Sequence, residues 1–194
     1  IVKGPFSYDK ISHKWEKDRE TGTNVYNPKS KLVPRIEAVS CWDFYPDPDA
    51  VTVDDADYII ERHNYTKTQL RDLMNRPFFR ADAVRECLAM GPNYEARGYE
   101  SSLLDRETTD EFDKNRYEIL EFWGYLDKEL AEQAGLEIDD DMDELDELSV
   151  NCWVCSGKIL RLVINPFTPA RLPYMVCPYE INPYQFFGVG IPEN

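Results

Sequence analysis

Two thiols in CxxC spacing can share a zinc ion or cycle as a redox pair, so Cys152-Trp153-Val154-Cys155 is the first place to look for chemistry. A structural zinc site takes four ligands, commonly two such pairs. Here Cys41, Cys87 and Cys177 stand singly, and His13 and His63 lie far off in sequence. A redox CxxC normally opens a helix, whose N-terminus lowers the thiol pKa. This one sits in a strand-like run leading into Ser156-Gly157, where odd spacing turns the two sulfurs to opposite faces. Core or surface thiols are therefore expected, with Cys152 and Cys155 as the residues a metal would use and no cofactor anticipated.

Asp43, Asp47 and Asp49 could divide acid and base roles if their environments differed. No nucleophile, base or metal-binding His accompanies them, and Asp beside Pro is ordinary turn chemistry. The acidic run 139–147 opens as D-x-D-x-D, but its sixth position is Glu144 where a calcium loop needs Gly, and its twelfth is Val150 rather than Glu. A solvated loop or an acidic docking segment is the expected reading. With no Gly-rich phosphate loop, HExxH or GxSxG in the sequence, no enzymatic activity is expected.

Two stretches invite a contact role instead. Residues 43–50 hold two prolines and three aspartates around Phe44 and Tyr45, which forbids a helix and favours successive turns. Trp42 and Tyr45 are expected to pin this loop in the core, with Asp47 capping backbone N–H groups and Pro48 stiffening it; an exposed indole would instead make the loop a partner site. Near the C-terminus Tyr179, Tyr184, Phe186 and Phe187 fall within nine residues beside Pro and Gly. They form either an interface or the edge of the domain's own core.

The elements that must position these groups follow from periodicity. Turn signals break residues 1–35 into hairpin-like strands, clearest at 23–26 and 33–40. From Asp54 the acidic run 54–57 predicts a helix start, and Thr66 with Gln69 makes a capping box for a helix over 67–75. A second helix over 80–90 buries Val84, Cys87 and Leu88 and stops at Gly91-Pro92. Residues 93–114 read as a mobile connection with a helical turn near 106–112. A strand over 117–126, a short helix capped by Asp127, and strands over 148–155, 158–164 and 174–181 complete the chain. The expected fold is α+β with mostly antiparallel strands and a few short helices. It divides into 1–114 and 115–194, or forms one continuous domain.

The 194 residues carry 22 Lys+Arg against 37 Asp+Glu, a formal charge of −15, and are 42% hydrophobic, enough apolar material for a core. That charge disfavours sequence-independent DNA binding by the bulk of the chain. No apolar run approaches the roughly 20 residues needed to cross a bilayer, and neither a span nor a signal peptide is expected. Five scattered cysteines fit reduced thiols rather than a disulfide framework. The abrupt ends suggest a piece of a longer chain.

Taken in order, Val2-Lys3-Gly4-Pro5, the block Val39-Ser40-Cys41-Trp42-Asp43-Phe44-Tyr45-Pro46-Asp47-Pro48, Tyr58-Ile59-Ile60-Glu61-Arg62, the segment 117–124, Asn165-Pro166-Phe167 and the segment 178–184 resemble the portal (head-to-tail connector) proteins of tailed bacteriophages, the short-tailed type especially. The resemblance spans nearly the whole chain. It implies a non-enzymatic subunit of a ring at one capsid vertex, through which double-stranded DNA passes without sequence-specific contact. Its implied partners are other portal subunits, terminase, and capsid and tail-adaptor proteins. The implied setting is the virion, with the host cytoplasm during assembly or as an integrated prophage, and the implied place of this piece is the wing. Residues 137–147 are expected to be poorly ordered, and the piece alone to be a monomer or weak oligomer.

Overall fold

The computed structural model describes residues 1–17, 23–94, 115–138, 146–167 and 169–189. The fold is α+β with mostly antiparallel strands. It comprises two compact units, 1–39 with 173–176, and 40–172 with 177–194.

In the first unit, strand β1 (Val2–Ser12) pairs antiparallel with β4 (Lys29–Ala38), and β2 (Trp15–Lys17) pairs with β3 (Asn24–Tyr26). The β1–β4 register slips between Lys3 and Phe6. Gly4 sits there at φ +120°, and a Cβ would lie 2.9 Å from the Arg35 carbonyl oxygen. Only glycine fits so close an approach at positive φ. The strand expected over 174–181 is reduced to β10 (Tyr174–Met175), which pairs with β1. Pro178 and Pro183 lack the N–H that a longer ladder would need.

The second unit is a five-stranded antiparallel sheet in the order β5-β6-β7-β8-β9. Its strands are β5 (Phe44–Pro46), β6 (Tyr58–Thr66), β7 (Arg116–Asp127), β8 (Glu147–Cys155) and β9 (Lys158–Ile164). The last two form a hairpin turned by Ser156 and Gly157, both at positive φ, as a two-residue turn demands. β6 and β7 lie on opposite sides of residue 114 in sequence yet pair directly over nine positions.

β6 overturns the helix expected from Asp54. Residues 54–57 form turns, and the next stretch alternates, with Ile59 and Glu61 buried on one side and half-buried Ile60 and buried Arg62 on the other. Burial on both sides of a pleated strand outweighs the acidic first-turn signal. The helix begins only at the capping box. Gln69 N–H donates to Thr66 Oγ1 at 3.3 Å, and Thr66 N–H donates to Gln69 Oε1 at 2.8 Å. Helix α1 (Lys67–Asp72) and the 3-10 turn Leu73–Asn75 lead to α2 (Ala81–Met90), which ends at Gly91 with φ +93°. Helix α3 (Lys128–Gln133) follows β7; Asp127 occupies its N-cap position but makes no side-chain cap bond.

Alternation along the central strands sorts two cores. Odd-numbered residues of β7 and β8 (Tyr117, Ile119, Trp153, Cys155) pack with Leu160 against Leu70, Leu73, Val84 and Cys87 of the helical segments. Even-numbered residues (Phe122, Leu126, Leu148, Val150, Cys152) pack with Leu162 against Ala131 of α3. Most of the acidic segment (139–145), and residues 95–114 with the helical turn expected there, lie outside the described residues.

Candidate functional site

Within the second unit the proline-aspartate loop is built by short-range bonds. Ser40 Oγ accepts from Trp42 N–H at 3.2 Å and starts the 3-10 turn Cys41–Asp43, after which the chain extends into β5. Asp47 is 9% exposed. Its carboxylate accepts from Asp49 N–H at 3.0 Å and Asp57 N–H at 3.3 Å, while its own N–H donates to the Tyr58 carbonyl at 3.1 Å. Asp47 thus ties both ends of the loop to the start of β6.

Trp42 does not anchor the core. It is 42% exposed, whereas Phe44 is 2% exposed. Trp42 lies in the 3-10 turn before the strand, and Phe44 is the first residue paired in the sheet, opposite Glu61. Tyr45 is half-buried and donates its hydroxyl to the Trp42 carbonyl at 2.9 Å, while Pro48 is exposed.

The three aspartates do not converge. Asp43 Oδ1 accepts from Arg62 Nε and Nη2, each at 2.9 Å, Asp47 serves backbone, and Asp49 is exposed. The Arg62 side chain is 4% exposed, so this ion pair is shielded from water on one side.

The C-terminal aromatics come to the same loop. The Phe186 ring lies 5.8 Å from that of Phe44 and 5.5 Å from that of Phe187. Residues 44–51 and 184–187 line a cleft of about 420 Å³. The tail holds its bend through Val189 N–H to the Glu180 carbonyl at 3.1 Å and Tyr184 N–H to Asn182 Oδ1 at 3.1 Å. Around the cleft Tyr184 is 88% and Phe187 43% exposed, and Tyr179 and Ile181 along the same tail are 74% and 76% exposed.

Cys152 and Cys155 lie on opposite faces of β8, in the two different cores. Burial pushes both thiols up. Cys87, which donates its S–H to the Cys155 carbonyl at 3.3 Å, is pushed up to about 12 by burial and by the neighbouring Cys155 thiol. Thiolate, the form that binds metal or attacks, is therefore disfavoured at all three.

The sequence reading missed one constellation. Glu61, His63 and Glu121 offer ligand atoms that all lie within 4.8 Å of one another, the single such group of His, Cys, Asp and Glu among the described residues. Glu61 and His63 are two apart on β6, and Glu121 is the direct cross-strand partner of Glu61 on β7. Reading this segment as a helix put positions 61 and 63 on different faces; on a strand, i and i+2 share one.

An antiparallel sheet thus carries exposed aromatic side chains beside a proline-aspartate loop held by its own hydrogen bonds. The model of the family described as phage SU10 portal protein matches residues 6–194, and the chain belongs to that family. A search of curated proteins found no match. The family is structural rather than enzymatic, and implies an oligomeric ring, phage-assembly partners in general and a place in the virion. Among the described residues no helix is long and apolar enough to cross a membrane.

Proposed function

We propose that this chain forms an outer, wing-type part of a portal ring and that the loop 42–51 with the tail 179–187 is a surface covered by a neighbouring portal subunit. The observation that carries this reading is the 88% exposure of Tyr184 beside a cleft into which Phe186 already packs. Large aromatics left in water next to a shaped apolar recess are what a hot spot needs from a partner. The ring would conduct DNA during packaging and ejection and would seat terminase, capsid and tail-adaptor proteins. The net charge of −15 favours passage without adhesion, since phosphates gain no counterion release at an acidic surface.

Like charge on each copy and a heterologous interface that need not close make the isolated chain a monomer or weak oligomer. In the full-length protein, Tyr184→Ala with Phe187→Ala should abolish ring assembly, read by sedimentation, while leaving the melting temperature of unit 2 unchanged. Rings of normal yield from that variant would overturn the reading.

A further inference from the structure

Arg161 is a half-buried guanidinium without an oxygen acceptor. Its Nε–H is buried and unpartnered, and its side chain makes no ion pair or hydrogen bond among the described residues. Its contact is with the Phe79 ring, whose centroid lies 5.5 Å from the guanidinium carbon. An aromatic face offsets part of the charge but offers no oxygen to the N–H donors. Burial holds the guanidinium below its ordinary value; the Glu121 carboxylate opposes that, and the like charge of Arg76 adds to it. Arg76 is exposed and also makes no ion pair among the described residues. Charges taken partly out of water are normally paired, and here two of one sign are kept near each other instead.

The sheet edge is built to bring them there. β8 and β9 shift register after Trp153, where β9 carries one extra residue; Leu160 fills the core and Arg161 stands directly opposite Trp153. A bulge of this kind re-aims a side chain. The segment 76–80 then crosses the edge of β9. Phe79 bridges Arg161, and Arg80 N–H donates to the Leu160 carbonyl at 2.7 Å. Trp153, Arg161 and Phe79 form one cross-strand row, with the Phe79 ring edge-on to the indole at 5.3 Å and 82°. Arg76 lies three residues before Phe79.

An independent observation falls in the same five residues. Phe78 has φ +67° and is 73% exposed. That backbone region suits glycine and strains a bulky residue, and a ring left in water gains no packing to offset the strain. Strain of this kind collects where a residue is held for contact, and aromatic and arginine side chains carry most of the energy of such contacts.

We propose that Arg76, Phe78 and Arg161 form a docking site for a short acidic segment of a partner protein, whose carboxylates pair with the two guanidinium groups while an apolar side chain rests on Phe78. Charge complementarity selects this occupant, because the planar fork of Arg matches a carboxylate through two parallel N–H donors. A nucleic acid, charged at every residue, is repelled by a chain of net charge −15, whereas a short acidic segment brings few charges beyond those the two guanidinium groups take up. The site belongs to the β9 edge of unit 2. It depends neither on the loop 42–51 nor on the tail 179–187.

The test titrates the whole chain with the peptide acetyl-Glu-Leu-Glu-Leu-Glu-amide, followed by nitrogen–proton NMR, with the Gln-for-Glu peptide and inorganic phosphate in parallel. The Arg161 Nε–H signal should move with the acidic peptide and stay in place with the Gln peptide, and phosphate should bind at least about 10-fold more weakly than the acidic peptide. Arg161→Met keeps the packing of the stem and deletes the charge; it should weaken peptide binding at least about 10-fold without lowering the melting temperature. Phe78→Gly should weaken binding at least about 3-fold with a melting temperature within about 2 °C of the wild type, since it removes the ring and the strain together. Should Arg161→Met fail to fold, Arg76→Gln at its exposed position decides, with a loss of at least about 3-fold expected. No peptide bound by the wild type, equal binding of the Gln peptide, tighter binding of phosphate, or equal binding by a folded Arg161→Met or Phe78→Gly chain would each overturn the site.

Discussion

The two units use β-structure in opposite ways. In unit 2, β7 and β8 bury both faces, one against α1 and α2 and the other against α3, and residues such as Ile59, Ile119, Val150 and Leu160 are fully inaccessible. In unit 1, the long β4 strand is exposed along nearly its whole length, and Ile11, Leu32 and Ile36 stand more than half in water. With β10 only two residues long, β1 and β4 form little more than a two-stranded ribbon, which is marginally stable at best in water without a covering layer. The contrast teaches that unit 2 buries its apolar side chains within itself, whereas unit 1 leaves large apolar side chains in water, as the proposed assembly role would require.

The largest expected effect lies in unit 2. Phe44→Ala should cost roughly 3–5 kcal/mol and Leu160→Ala roughly 2–5 kcal/mol in chemical denaturation, because each empties a fully packed position. Leu32→Ala in the ribbon should stay within about 0.5 kcal/mol. Comparable losses in both units would erase the distinction. Trp42→Ala sharpens it further: with the indole 42% exposed, the expected loss is under about 1 kcal/mol rather than that of a core aromatic.

Next comes Asp47→Ala, which leaves the N–H groups of Asp49 and Asp57 without their carboxylate; a loss of about 1–3 kcal/mol is expected in urea unfolding. Thr66→Ala removes the capping box and should cost roughly 0.5–2 kcal/mol, measured the same way.

The thiols give the smallest effect near neutral pH. Exposed Cys41 and Cys177 should react rapidly with a thiol reagent at pH 8, while Cys87, with its pKa near 12, should remain unlabelled in the folded chain. Cys87 is raised from 9.0 to about 12, so its neutral thiol contributes stability that is present below pH 9 and lost as pH rises toward 12. Urea midpoints that stayed flat over that window, in a comparison with Cys87→Ala, would contradict this.

Much of unit 2 was legible in the sequence because its signals are local. The capping box at Thr66 and Gln69, the stop at Gly91 and the Ser156-Gly157 hairpin are each written within a few residues, and each forms as the spacing predicts. β6 was misread because Asp54, Asp55 and Asp57 imitate a helix first turn, and only pairing with a strand more than 50 residues away makes Tyr58–Thr66 extended. That single error hid Glu61 and His63 as neighbours. The pairing of Tyr174–Met175 with β1, and the meeting of Phe186 with Phe44, depend on contacts across more than 130 residues that no local pattern encodes. Trp42 was assigned to the core by its size, whereas the strand phase gave that place to Phe44.

The central claim, that the five-stranded sheet of unit 2 stands alone while the β1–β4 ribbon and the aromatic tail are completed by assembly, is tested most directly by amide hydrogen exchange on the full-length portal protein, monomeric and in the assembled ring. The expected result is slow exchange in β6, β7 and β8 in both states. Residues 2–12, 29–38 and 179–187 should become protected only in the ring. Equal protection of those segments in the monomer, or no gain on assembly, would contradict it.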